Sequence, residues 1–123
     1  MILDHIGLSV SDPASCQAFF TKALAPLGIS LVVEVEGWAG FGRHGRPQFW
    51  FGSADKPQKP MHIAFAAETR AQVREFHEAA LRAGAKDNGA PGIRTIYHPN
   101  YYGAFVIGPD GHNIEAVCHQ PEP

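Results

Sequence analysis

The chain is poor in the features that announce a specialised environment. Its 123 residues include only two cysteines, Cys16 and Cys118, too few for a disulfide framework. Both sit among apolar neighbours on a predicted helix and a predicted strand, so they read as reduced core residues. No apolar run is long enough to cross a bilayer. The Lys and Arg side chains number 10 against 12 acidic ones, for a formal charge of -2, and they form no basic stripe. Nucleic acid is thereby excluded as the main partner, and no membrane partner is indicated. The opening Met1-Ile2-Leu3-Asp4-His5 lacks the charged start and apolar core of a secretory leader, which makes the cytoplasm the expected location. What remains is an ordinary globular composition, 45% hydrophobic and 18% charged, and the expected partner is a small molecule.

The informative feature is an internal repeat. Asp4-His5-Ile6-Gly7-Leu8-Ser9-Val10-Ser11-Asp12 and Met61-His62-Ile63-Ala64-Phe65-Ala66-Ala67-Glu68-Thr69 superpose at an offset of 57 residues, each with a histidine at its start. The same offset places Phe19 on Phe76, Ala23 on Ala80 and Leu24 on Leu81. Halves of about 60 residues are marginal alone, so two half-size modules sharing one domain are expected.

Local signals give each module the same order. Residues 2–10 alternate as a half-buried strand, and Asp12-Pro13 is a helix N-cap followed by proline at the first helical position. Cys16, Phe19, Phe20, Ala23, Leu24 and Leu27 recur at helical spacing until Gly28. Strands are expected at 29–36, 38–43 and 47–52, separated by Glu36-Gly37 and His44-Gly45-Arg46-Pro47. A linker, 54–60, precedes a second strand from 61 to 67. Thr69-Arg70-Ala71-Gln72 is a capping box, and Val73, Phe76, Ala80 and Ala83 mark one face of the second helix. From 85 to 100 Gly89, Pro91, Gly92 and Pro99 interrupt the pattern, so only a short strand at 93–97 is expected within a loop. Strands at 102–108 and 112–118 close the chain around the turn Pro109-Asp110-Gly111. The fold class is α+β: two βαβββ modules, 1–53 and 61–120, whose mixed strands form a cupped sheet with the helices on its outer face.

Strand alternation turns the repeat into a site. With Ile6, Leu8 and Val10 toward the helix, His5, Gly7 and Ser9 face the other way. In the second copy His62, Ala64 and Ala66 do the same. In the last strand Ile114, Ala116 and Cys118 belong to the helix side, which puts Asn113, Glu115 and Val117 on the histidine face. His5, His62 and Glu115 are two imidazoles and a carboxylate, a common donor set for a divalent metal with positions left open. The plainer alternative makes each histidine a satisfied sheet residue and Glu115 a solvated one. His98-Pro99-Asn100-Tyr101-Tyr102 adds proton donors in a loop before the seventh strand. His44, His77, His112 and His119 read as surface or turn residues.

These residues resemble the vicinal oxygen chelate superfamily, which includes glyoxalase I, type I extradiol dioxygenases, fosfomycin-resistance enzymes and bleomycin-binding proteins. The resemblance is carried by the opening 4–12 segment, Phe19-Phe20 with Leu24 and Gly28, His62, and Pro109-Asp110-Gly111-His112-Asn113-Ile114-Glu115. It implies a cup around a metal, with ligands on the first and last strand of each module. His5, His62 and Glu115 match three of the four positions. The fourth falls on Trp50, which binds no metal, although Gln48 shares its strand face.

The resemblance implies a metal-dependent lyase, isomerase or extradiol-type dioxygenase. Its divalent ion would be iron, zinc, nickel or manganese, and its substrate a small molecule with neighbouring oxygens. Glu115, Tyr102 and His98 are the expected catalytic residues, with Gln48, Trp50, Tyr101 and Asn113 lining the pocket. A homodimer is expected by the same resemblance, with the cup either within one chain or between two. The alternative is a metal-independent drug-binding protein of the bleomycin-resistance type.

Overall fold

Two tight turns set the register of the first half. Glu36-Gly37 and His44-Gly45 all adopt positive φ, from 48° to 86°, the conformation of two-residue hairpin loops whose twist matches the strands they join. They link β2 (Ser30–Val35), β3 (Trp38–Arg43) and β4 (Arg46–Gly52) into an antiparallel run, and β1 (Ile6–Ser9) pairs in parallel with β4. The computed structural model describes residues 3–53 and 56–122, so two residues of the expected linker lie outside it.

Between β1 and β2 lies α1 (Pro13–Leu24), capped by the Asp12 carboxylate on the Ser15 amide and continued by a 3-10 turn, Ala25–Leu27. Gly28 ends that turn at φ 74°. The second half repeats the plan with β5 (His62–Ala66), α2 (Arg70–Arg82), β6 (Lys86–Ile93), β7 (Tyr102–Ile107) and β8 (Asn113–Cys118). Thr69 caps α2 through the Gln72 amide, and Gln72 returns a bond to the Glu68 amide. The two four-stranded sheets have equivalent strand orders, β1-β4-β3-β2 and β5-β8-β7-β6. The expected pair of βαβββ modules is what the chain forms.

The strand expected at 93–97 is displaced. β6 occupies 86–93 instead, and residues 94–101 form a closed turn in which the Arg94 amide donates to Tyr101 O and the Tyr97 amide to Arg94 O. Gly89, Pro91 and Gly92 do not prevent a strand there because β6 is at the sheet edge and its pairing with β7 shifts twice, at 87/89 and 89/92. A proline lacking an amide donor is tolerated at such a position.

The helix-facing sides of both sheets belong to one continuous core. Leu8, Phe20, Phe41, Phe49 and Phe51 of the first module join Phe76, Val106 and Ile114 of the second. α1 packs on α2, and Phe49 meets Phe65 edge-on at 5.2 Å. The faces that carry His5 and His62 are consequently turned away from the shared core. Ser11 and Asp110 clasp the modules from outside, the Ser11 amide donating to one carboxylate oxygen at 3.0 Å and its hydroxyl to the other at 2.5 Å.

His112 is not the surface residue expected. It is buried, and its Nδ1 accepts from the Met61 amide at 2.9 Å immediately before β5. Burial lowers its pKa from the ordinary 6.5, against an opposing pull from Asp110. Because the folded state binds this proton less readily than the unfolded chain, His112 contributes fully to stability above about pH 6.5 and loses that contribution as pH falls below it. Denaturation midpoints measured across this range should drop toward acid in the wild type and drop less in His112→Gln. An equal drop in both would remove His112 as the cause.

Candidate functional site

Register in the two parallel strand pairs establishes which residues of the modules correspond. Gly7 lies opposite Trp50 in the first, and Ala64 lies opposite Glu115 in the second. Gly7 and Ala64 are repeat-equivalent, so Trp50 occupies the position of Glu115. Gln48 is likewise equivalent to Asn113, whose partner across the pair is His62.

The second module assembles a polar centre. Glu115 has 0% of its surface exposed, and each carboxylate oxygen has a partner. His62 Nε2 is 2.7 Å from Oε1, and the Tyr101 hydroxyl donates to Oε2. A carboxylate this deeply buried depends on those partners, because an unpaired one would carry the full penalty of lost hydration. Burial, then the adjoining Glu115 carboxylate, pushes the Tyr101 phenol above the ordinary tyrosine range, so it stays protonated and donates. Gly103 provides the space: a Cβ there would lie 3.1 Å from Glu115 Oε2 and 3.2 Å from the Tyr101 ring. The outer side of His62 is open, with 53% of its side chain exposed, and Phe105 packs 6.0 Å from its ring.

The two tyrosines take opposite sides. Tyr102 packs toward the helix-side core, between Arg70 and Arg74, with Arg74 donating to its hydroxyl. Tyr101, one position earlier, has the opposite orientation and reaches Glu115. His98 does not join the carboxylate; its ring meets His119 at 5.6 Å, and His119 in turn lies 5.3 Å from Tyr101. Asn113 is held by the Asn88 side-chain amide at 3.3 Å.

The equivalent face of the first module is aromatic. Trp50 lies over Gly40, where a Cβ would approach it to 3.0 Å, and Trp38 lies over Gly52, where a Cβ would come to 2.5 Å. His5 stands at the rim, 61% exposed, with Nδ1 held by Asp4 at 2.7 Å. That contact leaves Nε2 as the outward donor, the arrangement by which a carboxylate orients a metal-binding imidazole. The same contact holds the Asp4 carboxyl below its usual pKa. Gln48 and His5 share a hollow with Asp4, Arg46 and Trp50.

The separation of His62 Nε2 from Glu115 Oε1 suits two ligands of one divalent ion, whose donor atoms sit about 3 Å apart. Among the described residues, however, no group of three His, Cys, Asp or Glu side chains converges on a metal position. His5 belongs to the other module and does not complete the pair within the chain. The donors therefore fit a metal only if a further one is brought to them.

Sequence alternation could have separated the tyrosines once Ala104 and Val106 were recognised as core, since Tyr102 shares their face. Asp4 beside His5 was also legible as an adjacent carboxylate. The contribution of Gly103 was not, because it depends on a contact between neighbouring strands.

Comparison with known proteins agrees with this architecture. A solved glyoxalase/bleomycin resistance protein from Albidiferax ferrireducens T118 matches with a TM-score of 0.86 at 23% identity, covering 96% of this chain and 99% of that one. A glyoxalase/bleomycin resistance protein/dioxygenase family enzyme from Burkholderia phytofirmans PsJN matches at 0.73 and 15% identity, covering 95% and 98%. A glyoxalase-related enzyme from Fulvimarina pelagi matches at 0.71 and 15%, covering 96% and 87%. No curated protein matches the sequence. The model of the Glyoxalase/Bleomycin resistance protein/Dioxygenase superfamily matches residues 2–116, and the chain belongs to that superfamily.

Proposed function

We propose that the chain is a metal-dependent enzyme acting on a small substrate with neighbouring oxygens, and that its complete site forms between two copies. The observation that carries this reading is the buried Glu115 carboxylate, held by His62 and Tyr101 beneath an open face. The first-module face offers what that centre lacks: His5 with its outward Nε2, Gln48 and an aromatic floor. Within one chain His5 and His62 both line the hollow between the modules, but among the described residues no three metal donors converge there. Docking the first-module face of one copy onto the second-module face of another would close a cup and bring His5 to His62 and Glu115.

A divalent ion held by those three residues would supply Lewis acidity toward two substrate oxygens and favour negative charge on them. His62 and Glu115 Oε1 would exchange their mutual hydrogen bond for the ion, while Tyr101 keeps Oε2 and fixes the carboxylate's orientation. Tyr101 then holds a proton at the edge of the cup, and Glu115 is the carboxylate that can accept one from substrate. Trp50 and Trp38 receive the apolar part of the substrate, and Gln48 and Asn113 meet its polar groups. A metal-free binding protein is the second reading. It is favoured by Trp50 at the fourth ligand position and by Glu115 having both oxygens satisfied within the chain.

Metal analysis separates the readings. Wild-type protein should take up stoichiometric metal after reconstitution, and His5→Ala and Glu115→Gln should each lose it. Refolding these two variants together should restore about a quarter of the wild-type content, because half of random dimers are mixed and each mixed dimer has one intact site. No metal in the wild type would sink the enzyme reading. Metal in the wild type without restoration in the mixture would place the site within one chain.

The tyrosines provide a separate test. Tyr101→Phe leaves a buried carboxylate oxygen without its donor and should cost about 1–3 kcal/mol at neutral pH. Tyr102→Phe loses only an exposed contact to Arg74 and should cost less than about 1 kcal/mol. Chemical denaturation of both variants measures the difference, and equal costs would contradict the assignment of Tyr101 to Glu115.

A further inference from the structure

The open face of the second module carries a cation that the metal donors do not use. Phe105 lies opposite Glu115 in the β7–β8 pair and opposite Gly89 in the β6–β7 pair, so one face of the sheet runs from His62 across Glu115 and Phe105 to β6. Arg94, the residue after β6, folds its guanidinium back over that face, 5.4 Å from the centre of the Phe105 ring. Two glycines make room for it. A Cβ at Gly89 would lie 3.2 Å from Arg94 Nη2 and 2.8 Å from the Phe105 ring, and one at Gly92 would lie 3.1 Å from Nη1. Glycine weakens a strand and often marks the close approach of another group. Here that group is the guanidinium, and the glycines that interrupt the pattern of β6 are the ones that let Arg94 lie against it.

Arg94 is half-buried yet uncompensated. Its Nη2 donates to Ala90 O at 2.8 Å, a neutral carbonyl, and among the described residues no carboxylate pairs with it. Asp87, the nearest acid along β6, is engaged by His77 and the Gly89 amide. Burial and Glu115 raise the Tyr101 phenol while Arg94 draws it down, so the positive charge is felt within the polar centre. A guanidinium has five N–H donors in a planar fork, and most of them remain for an incoming anion.

We propose that Arg94 determines specificity in the cup by binding an anionic end of the substrate, which makes the substrate a small acid whose carboxylate is set a few carbons away from its neighbouring oxygens. The proposal rests on the reading of the cup as the substrate site. Phe105 spaces the two ends, because its ring stands 6.0 Å from the His62 ring and Arg94 lies over it. The fork meets a carboxylate with two parallel hydrogen bonds, where a lysine offers a point charge.

Two experiments separate this proposal from the metal reading. In the metal-free full chain, 3-phenylpropanoate should shift the Arg94 and Phe105 amide resonances and bind about tenfold more tightly than 3-phenylpropylamine, with 3-phenylpropanamide between them. Arg94→Met, which keeps an apolar stem over Phe105, should erase the preference for the acid and Arg94→Lys should retain part of it, with thermal melts checking that both fold. In wild type loaded with zinc, 2-oxoglutarate should bind about tenfold more tightly than 2-oxopentanoate, which lacks the distal carboxylate, and Arg94→Met should bring the two together. A wild type that takes up no metal sinks the enzyme reading and leaves the phenylpropanoate series to decide on Arg94. Equal binding of acid and amine, shifts confined to other residues, or a preference for either acid that survives Arg94→Met would each overturn the proposal.

Discussion

The shared core between the two modules is the constraint on which the other features depend. Each sheet has one apolar side, and both modules bury theirs against the same set of helices and phenylalanines. Phe49 is central, because it touches Phe20 and Phe51 in its own module and Phe65 in the other. Once those sides are committed, the remaining faces have no choice of direction. His5 with its tryptophan floor and His62 with its buried carboxylate become outward surfaces of one chain.

Those two surfaces have diverged from a common plan in a chemically coherent way. At the repeat-equivalent position one module has Trp50 and the other has Glu115. The tryptophan face is broad and apolar because Gly40 and Gly52 let indole rings lie flat on the sheet. The glutamate face is polar and narrow, organised by Gly103 and two hydrogen-bonding rings. Neither half alone presents an apolar floor together with a complete set of charged and donor groups. The repeat has been divided into a part that holds a substrate's body and a part that manages its polar atoms.

Much of this was readable from the sequence because it follows from period. Alternation placed His62 and Glu115 on one face, and caps and turns placed both helices and both hairpins of the first module. The failures occur where a contact outside the local pattern decides. β6 was displaced because edge position, which periodicity does not encode, lets a strand carry Gly89, Pro91 and Gly92. His112 reads as a surface residue because it follows a turn, although the start of β5 covers it. Spacing alone leaves the face of β7 open, and only the burial of Ala104 and Val106 assigns Tyr102 to the core side. The separation of His5 from the His62–Glu115 pair depends on how two modules pack, and no spacing within either module records that.

The irregular pairing of β6 also affects how the molecule can meet its own kind. A regular edge strand offers a row of free backbone donors and acceptors onto which another chain can extend the sheet. Here one outer edge has two breaks in register and a proline without an amide, while β5 at the other side of the same sheet has its Ala66 carbonyl occupied by Arg43. Both ends of the second sheet are thereby poor templates for growth into a ribbon. The second sheet is protected against open-ended strand addition, and the surface it leaves for self-recognition is its broad face, where contact is finite and closes on itself.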